Sequence, residues 1–276
     1  MKLTIFFTLL VGAAVAILFT VFPQWDLTIT GWFWDAAHGG FSLASSAWGG
    51  ALRKAGNIIP WLFAGPAFAA LILKLLFPRL PMFMPSRAAL LLATTMALAP
   101  GLLVNGVLKE NWGRPRPIHV DSFGGKDVFN PWYSTQGTCP GNCSFVSGEG
   151  ALGFWMIAPA SLVPAPFKGP ALVAAALFGA TAGGLRIAFG GHFFTDVVFS
   201  GVLTILIIAL VRFLLYDRRG APDDAAMEAG IGRVGRALHT LACQIGRAAL
   251  WMLRASGRGL AALVRRLPLS RRGPGL

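Results

Sequence analysis

The chain has 276 residues, 55% of them hydrophobic and only 13% charged, with a mean hydropathy of +0.64. That composition excludes a soluble globular domain and makes an all-α, polytopic membrane protein. The 24 basic residues outnumber the 11 acidic ones, leaving a formal charge of +13; where that charge falls sets the expected orientation.

A membrane-spanning helix needs about 20 mostly apolar residues. Six segments qualify in chain order: 3–22, 58–77, 88–108, 151–167, 171–189 and 197–216. The first follows Lys2 and contains Ala14-Val15-Ala16, which also fits a cleaved signal peptide, but apolar sequence continues through Phe22 and a retained span is expected. The connection 23–57 carries Trp25, Trp32, Phe33, Trp34 and Trp48, an aromatic belt for the membrane interface. His38 and His119 have no motif partner and are expected as polar loop residues.

Cytoplasmic loops retain lysine and arginine near the membrane. Lys2, then Lys74, Arg79 and Arg87, then Lys168, then Arg212, Arg218 and Arg219 fall at alternate span ends. Both termini are therefore expected in the cytoplasm. The loops 23–57, 109–147 and 186–192 then face the other side, which in a bacterial inner membrane is the periplasm. Arg53, Lys54, Lys109, Arg114, Arg116 and Lys126 run against this bias; basic residues needed for a site are not free to follow it.

Three polar constellations share the outer side. Lys109-Glu110-Asn111-Trp112-Gly113-Arg114-Pro115-Arg116-Pro117 puts three cations within eight residues, stiffened by prolines. That suits either a bound phosphate, with lysine as point charge and arginine as bidentate fork, or a headgroup-anchoring cluster. Ser147-Gly148-Glu149 opens the fourth apolar segment and fits both a helix N-cap and an anion site. Glu149, at the mouth of an apolar helix, can serve as proton donor if burial raises its pKa. Finally, Arg186, His192 and Asp196 lie beside apolar spans, where ionisable side chains are costly and functional by default. His192 and Asp196 are four apart, so the carboxylate can hold the imidazole. Cys139 and Cys143 lie in the outer loop, where an oxidising compartment permits a short disulfide; unpaired thiols or, less readily, a metal site are the alternatives. Cys243, in the tail, is expected to be reduced.

Together these segments resemble the type 2 phosphatidic acid phosphatase (PAP2) superfamily of membrane phosphatases. Its motifs read lysine, six residues, arginine-proline; proline-serine-glycine-histidine; and serine-arginine, five residues, histidine, three residues, aspartate. Lys109 with Arg116-Pro117, Ser147-Gly148, and Arg186 with His192 and Asp196 match in order and spacing, over roughly residues 58–216. The resemblance implies that His192 is a nucleophile forming a phosphohistidine and that Asp196 fixes its tautomer. It implies that Lys109, Arg116, Arg186, Ser147 and Gly148 bind the phosphoryl oxygens, with Arg114 as an auxiliary contact. It implies no metal and no cofactor. Val146 stands where the family has proline, Leu185 where it has serine, and Glu149 where it has the histidine that protonates the leaving group.

Bacterial members of this superfamily act on phosphatidylglycerol phosphate, undecaprenyl diphosphate and lipid A phosphates. The long loop 118–146, with Trp132 and Tyr133, looks like a lid or headgroup reader and favours lipid A or a related glycolipid. Phosphotransfer to a second lipid and non-catalytic binding of lipid phosphate are the alternatives.

After the membrane domain, 1–216, the tail 217–276 holds eleven arginines and four acidic residues, which supplies +7 of the net charge. Ile231, Val234, Leu238, Leu241, Ile245 and Met252 form a helical apolar stripe, with Arg233, Arg236, Arg247, Arg254 and Arg258 as cationic surface. An amphipathic helix on anionic lipids of the cytoplasmic leaflet is expected. Packing against a partner protein is a second possibility, and nucleic acid a poor one. Glycines 230, 232, 235 and 246 lower helix propensity, and 217–224 is the hinge.

Overall fold

The computed structural model describes residues 2–266. The last ten residues of the basic tail lie outside the described residues, as do the side chains of Arg254 and Arg258. Helix α1 (Lys2–Val21) leads into α2 (Gln24–Gly31), a two-stranded hairpin of β1 (Trp34–Asp35) and β2 (Gly40–Phe41), and α3 (Ser42–Ser45). The aromatic connection is therefore folded and capped onto the bundle. Helix α4 (Ala47–Leu76) begins eleven residues before the expected start of the second span. Ser46 is the reason, since its hydroxyl accepts from Gly49 N at 3.2 Å as an N-cap. Arg53 consequently lies on a helix and not in a loop.

Helix α5 (Ser86–Met96) continues as a widened π-helical stretch (Ala97–Leu108) into α6 (Lys109–Asn111). Pro100 lacks the N–H that an α-helix needs, and Asn105 Nδ2 donates to the Pro100 carbonyl at 2.6 Å within the widened turn. Lys109 thus emerges at the end of a membrane helix.

The fourth expected segment is not one helix but two, α7 (Gly148–Phe154) and α8 (Ile157–Leu162). A proline inside a helix loses its backbone bond and its ring crowds the carbonyl four residues back. For Pro159 that carbonyl belongs to Trp155, where the break falls. Pro164 then forces Val163 into an extended conformation, so α9 (Ala165–Ala188) starts earlier than expected. Among the described residues, five helices are long and apolar enough to cross a membrane: Leu3–Val21, Ala47–Leu76, Ser86–Asn111, Ala165–Ala188 and Phe194–Asp217. The expected count of six continuous spans is not reproduced. The last of the five comprises α10 (Phe194–Arg212) and a π-helical turn, Phe213–Asp217.

Small residues let the broken segment pack closely, as is usual between helices in lipid. A Cβ on Gly179 of α9 would sit 2.5 Å from the Phe154 ring, and one on Gly183 would collide with Val197. Trp155 fills the centre, fully buried, donating from Nε1 to Thr95 Oγ1 at 2.9 Å among Leu92, Met96 and Ile208. Phe6, Phe7, Leu9 and Leu10 of α1 are exposed, the pattern of a lipid-facing helix.

The tail forms α11 (Asp224–Arg266). Its first turns are tied to the end of the bundle opposite the polar motifs. Glu228 accepts from Lys74 Nζ at 2.7 Å, and Asp224 from Arg87 N at 2.8 Å. Gly235 is required there, because a Cβ would lie 2.8 Å from the Leu75 carbonyl.

Candidate active site

The end of the Ser86–Asn111 helix, the loop after it, the start of α7, the end of α9 and the start of α10 converge at one end of the bundle. The turn between α9 and α10 places His192. Gly190, at φ +64, bends the chain back, and the Arg186 carbonyl accepts from Gly191 N at 2.9 Å and His192 N at 3.3 Å. Helix α10 then begins with a capping contact in which Phe193 N donates to Asp196 Oδ2 at 2.9 Å.

The imidazole of His192 is 1% exposed, and its Nδ1 lies 2.6 Å from the Ser144 carbonyl. A carbonyl only accepts, so Nδ1 carries the proton and the Nε2 lone pair is left for chemistry. Asp196 Oδ2 is farther from Nδ1, at 3.6 Å. Asp196 therefore faces the ring as expected, and the backbone of Ser144 is the nearer partner of Nδ1. Asp196 also binds Ser144, whose hydroxyl donates to Oδ2 at 2.5 Å. Burial pushes the His192 pKa down to about 4 against partial opposition from Asp196, with Arg186 and Lys109 adding to the depression.

Lys109, Arg116 and Arg186 are close enough for their charges to act on one another. Gly148 admits Lys109, because a Cβ there would sit 2.9 Å from Asn105 Oδ1 and 3.3 Å from Lys109 Nζ. Gly191 does the same for Arg186, whose Nη2 would be 2.3 Å from a Cβ. Ser147 caps α7, accepting from Gly150 N at 3.1 Å, while its own N donates to the Asp196 carbonyl at 3.1 Å. Cys139 and Cys143 are joined, with Cα atoms 5.7 Å apart. The ring they close presents Asn142, whose carbonyl and Oδ1 accept from Arg116 Nη2 at 2.8 and 2.7 Å.

Arg114 is not where an auxiliary phosphate contact would be. It is fully buried behind Asp196, donating to Asp196 Oδ1 at 2.5 Å, Asp26 Oδ2 at 2.8 Å, Thr195 Oγ1 at 2.8 Å and the Asn130 carbonyl at 2.9 Å. Asp26 and Thr195 complete the cluster, with Thr195 N and Oγ1 donating to Asp26 at 3.0 and 2.6 Å. Sequence reasoning missed Asp26; the available signal was an acidic residue set among the apolar and aromatic residues of α2. Trp132 likewise packs inward, its ring 4.5 Å from that of Phe199; Tyr133 is the exposed member of the pair.

Glu149 also departs from expectation. Burial raises its pKa, but hydrogen bonds from Arg53 and the charge of Arg186 outweigh it and hold the carboxyl below the usual range. Both Glu149 oxygens lie 2.9 Å from Arg53 Nε, with Nη2 at 2.5 Å from Oε1. The raised pKa that a proton donor requires is absent, and in this arrangement Glu149 is a carboxylate.

A helical membrane bundle gathers a histidine, an aspartate and several cations at one end, a set of groups whose chemistry suits a phosphate. Sequence comparison agrees. Residues 88–219 match the PAP2 superfamily, and the chain belongs to that superfamily. It is 32% identical over 210 residues to the lipid A 4'-phosphatase of Francisella tularensis subsp. novicida (strain U112), covering 74% of this chain and 91% of that relative. It is also 40% identical over 120 residues to the lipid A 4'-phosphatase of Rhizobium leguminosarum, 44% of this chain and 52% of that protein. The Rhizobium etli (strain ATCC 51251 / DSM 11541 / JCM 21823 / NBRC 15573 / CFN 42) lipid A 4'-phosphatase is 37% identical over 119 residues, covering 43% and 46%. No solved structure matches significantly. The protein is a bacterial membrane phosphatase, a hydrolase of lipid phosphate esters.

Breaking a buried ion pair leaves an uncompensated charge, at a cost of about 3–5 kcal/mol. Arg114→Met should therefore lower the thermal midpoint of the detergent-solubilised protein by several degrees and abolish activity. A midpoint equal to wild type would show that the Asp26–Arg114–Asp196 cluster does not support the fold.

Proposed function

We propose that this phosphatase removes a phosphate from lipid A or a related glycolipid at the periplasmic membrane surface, without a metal, through a phosphohistidine. The observation that carries the chemistry is the Nδ1 hydrogen bond from His192 to the Ser144 carbonyl, which leaves Nε2 unprotonated beside Lys109 and Arg186. In the first step Nε2 attacks phosphorus and the phosphorus–oxygen bond to the sugar breaks, with the leaving oxygen taking a proton from water. Lys109, Arg116 and Arg186 offset the charge gathering on the non-bridging oxygens. In the second step water attacks the phosphohistidine, which releases phosphate and restores neutral His192. The glycolipid assignment draws on the lipid A 4'-phosphatases that the chain resembles.

His192→Ala should reduce phosphate release from lipid A in EDTA by at least about a thousandfold, as expected for loss of a nucleophile acting within a cooperating set. With its pKa near 4, His192 stays in the attacking form down to about pH 5, so no acid limb from this group should enter kcat/KM between pH 5 and 8. The folded chain binds fewer protons than the unfolded one between about 4 and the ordinary 6.5, so this group's contribution to stability is complete above that window and falls as pH is lowered through it. Retained turnover in the alanine variant would overturn the mechanism.

The orientation proposed here puts the site in the periplasm and the tail in the cytoplasm, in keeping with Lys74, Arg79, Arg87 and Arg212 at the opposite end of the bundle. Cys243 is free and exposed in α11, and Tyr133 is exposed in the loop between Arg116 and Ser144. In spheroplasts, an impermeant maleimide should label Tyr133→Cys at once and Cys243 only after lysis; the reverse order would invert the topology.

The same tail is proposed to lie on anionic lipid. Val234, Leu238, Leu241 and Ile245 are exposed along α11, and Arg233, Arg236 and Arg247 supply positive charge beside them. A polarity-sensitive dye on Cys243 should shift to the blue in nanodiscs containing phosphatidylglycerol relative to phosphatidylcholine alone. Identical spectra would rule out the lipid contact.

A further inference from the structure

Arg53 belongs to none of the motifs, yet it reaches from the second turn of α4 into the site. It grips Glu149 with a two-nitrogen fork, the geometry that guanidinium groups use on carboxylates and phosphates alike. Its charge also bears on Arg116 and Arg186. On the other side of Glu149, Arg186 Nε lies 3.4 Å from Oε1, buried and with no hydrogen-bond partner. Two guanidinium groups thus converge on one carboxylate, and one of them is unsatisfied. Asn57 of α4, Lys109 and Arg116 complete the polar surroundings of Glu149. Asp196 also acts on Lys109 and Arg116, from behind and while paired with Arg114, so Glu149 is the carboxylate in direct contact with the cations.

We propose that Arg53 is a fourth cation of the phosphate cradle, and that Glu149 is a placeholder anion which holds Arg53 and Arg186 in register until a phosphoryl group displaces it. This rests on the reading that Lys109, Arg116 and Arg186 receive the phosphoryl group. It gives a reason for a carboxylate at the position where the superfamily has histidine. Four cations without a counter-charge would repel one another in the empty site and would hold product phosphate tightly. Glu149 relieves the repulsion and competes with the product, so phosphate leaves.

The test is isothermal titration of inorganic phosphate into the purified full-length protein in detergent, which needs no turnover. A hydrogen bond to a charged group contributes roughly 1.5–3 kcal/mol, so Arg53→Gln should weaken phosphate binding by about tenfold or more. Glu149→Gln should move affinity the other way, tightening binding several-fold. The double variant should bind no more tightly than Arg53→Gln, because the gain from losing Glu149 needs Arg53. Arg53→Lys, which keeps the charge and loses the fork, should fall between wild type and Arg53→Gln. A merely structural ion pair would make both single variants weaken binding together, and that outcome overturns the proposal, as does unchanged affinity in a folded Arg53→Gln protein. Failure of the underlying reading is separately visible: Lys109→Gln and Arg116→Gln would then leave phosphate affinity unchanged.

Discussion

The buried cluster of Asp26, Arg114 and Asp196 is the contact on which the site depends. Arg114 cannot lose its charge, and burial of a guanidinium is tolerable only where anions and carbonyls take up its donors. Here two carboxylates, a threonine hydroxyl and a backbone carbonyl do so. The elements that supply them are α2, the loop before α7 and α10. Closing the cluster ties together three parts of the chain that also pack through Leu27, Phe129 and Phe193, and it orients Asp196. Asp196 in turn holds Ser144, whose carbonyl sets the proton of His192. His192 stands at the end of this chain of buried hydrogen bonds.

In front of this neutralised layer the electrostatics reverse. Lys109, Arg116, Arg186 and Arg53 face the mouth of the site with a single carboxylate among them. The scaffold keeps them apart by lending acceptors: Asn142, held in the small disulfide ring, takes Arg116, and Glu149 takes Arg53. These acceptors are neutral or singly charged, which is what the proposed displacement by a phosphoryl group requires.

Much of this is legible in the amino-acid sequence. The apolar runs locate the membrane helices, and the spacing of Lys109 to Arg116 and of Arg186 to His192 and Asp196 locates the residues that the fold gathers. Boundaries are less legible, for identifiable reasons. Ser46 starts α4 early through a capping hydrogen bond that hydropathy does not register. Pro159 and Pro164 divide the fourth segment, although its composition stays apolar. Arg114 and Arg116 sit two residues apart in one loop and look interchangeable as phosphate ligands. Their backbone turns one into the core and the other toward Asn142.

The sequence by itself determined the class of molecule and nominated the candidate site residues, because hydropathy and motif spacing are local properties written along the chain. Tertiary structure alone decided which charges are buried together and which are left facing the mouth. Asp26 meets Arg114 across 88 residues, and Arg53 meets Glu149 across 96. Partners that distant are chosen by which helix ends pack side by side. The protonation of Glu149 and the tautomer of His192 follow from those partners, since a pKa is set by the surroundings of a group and not by its place in the chain.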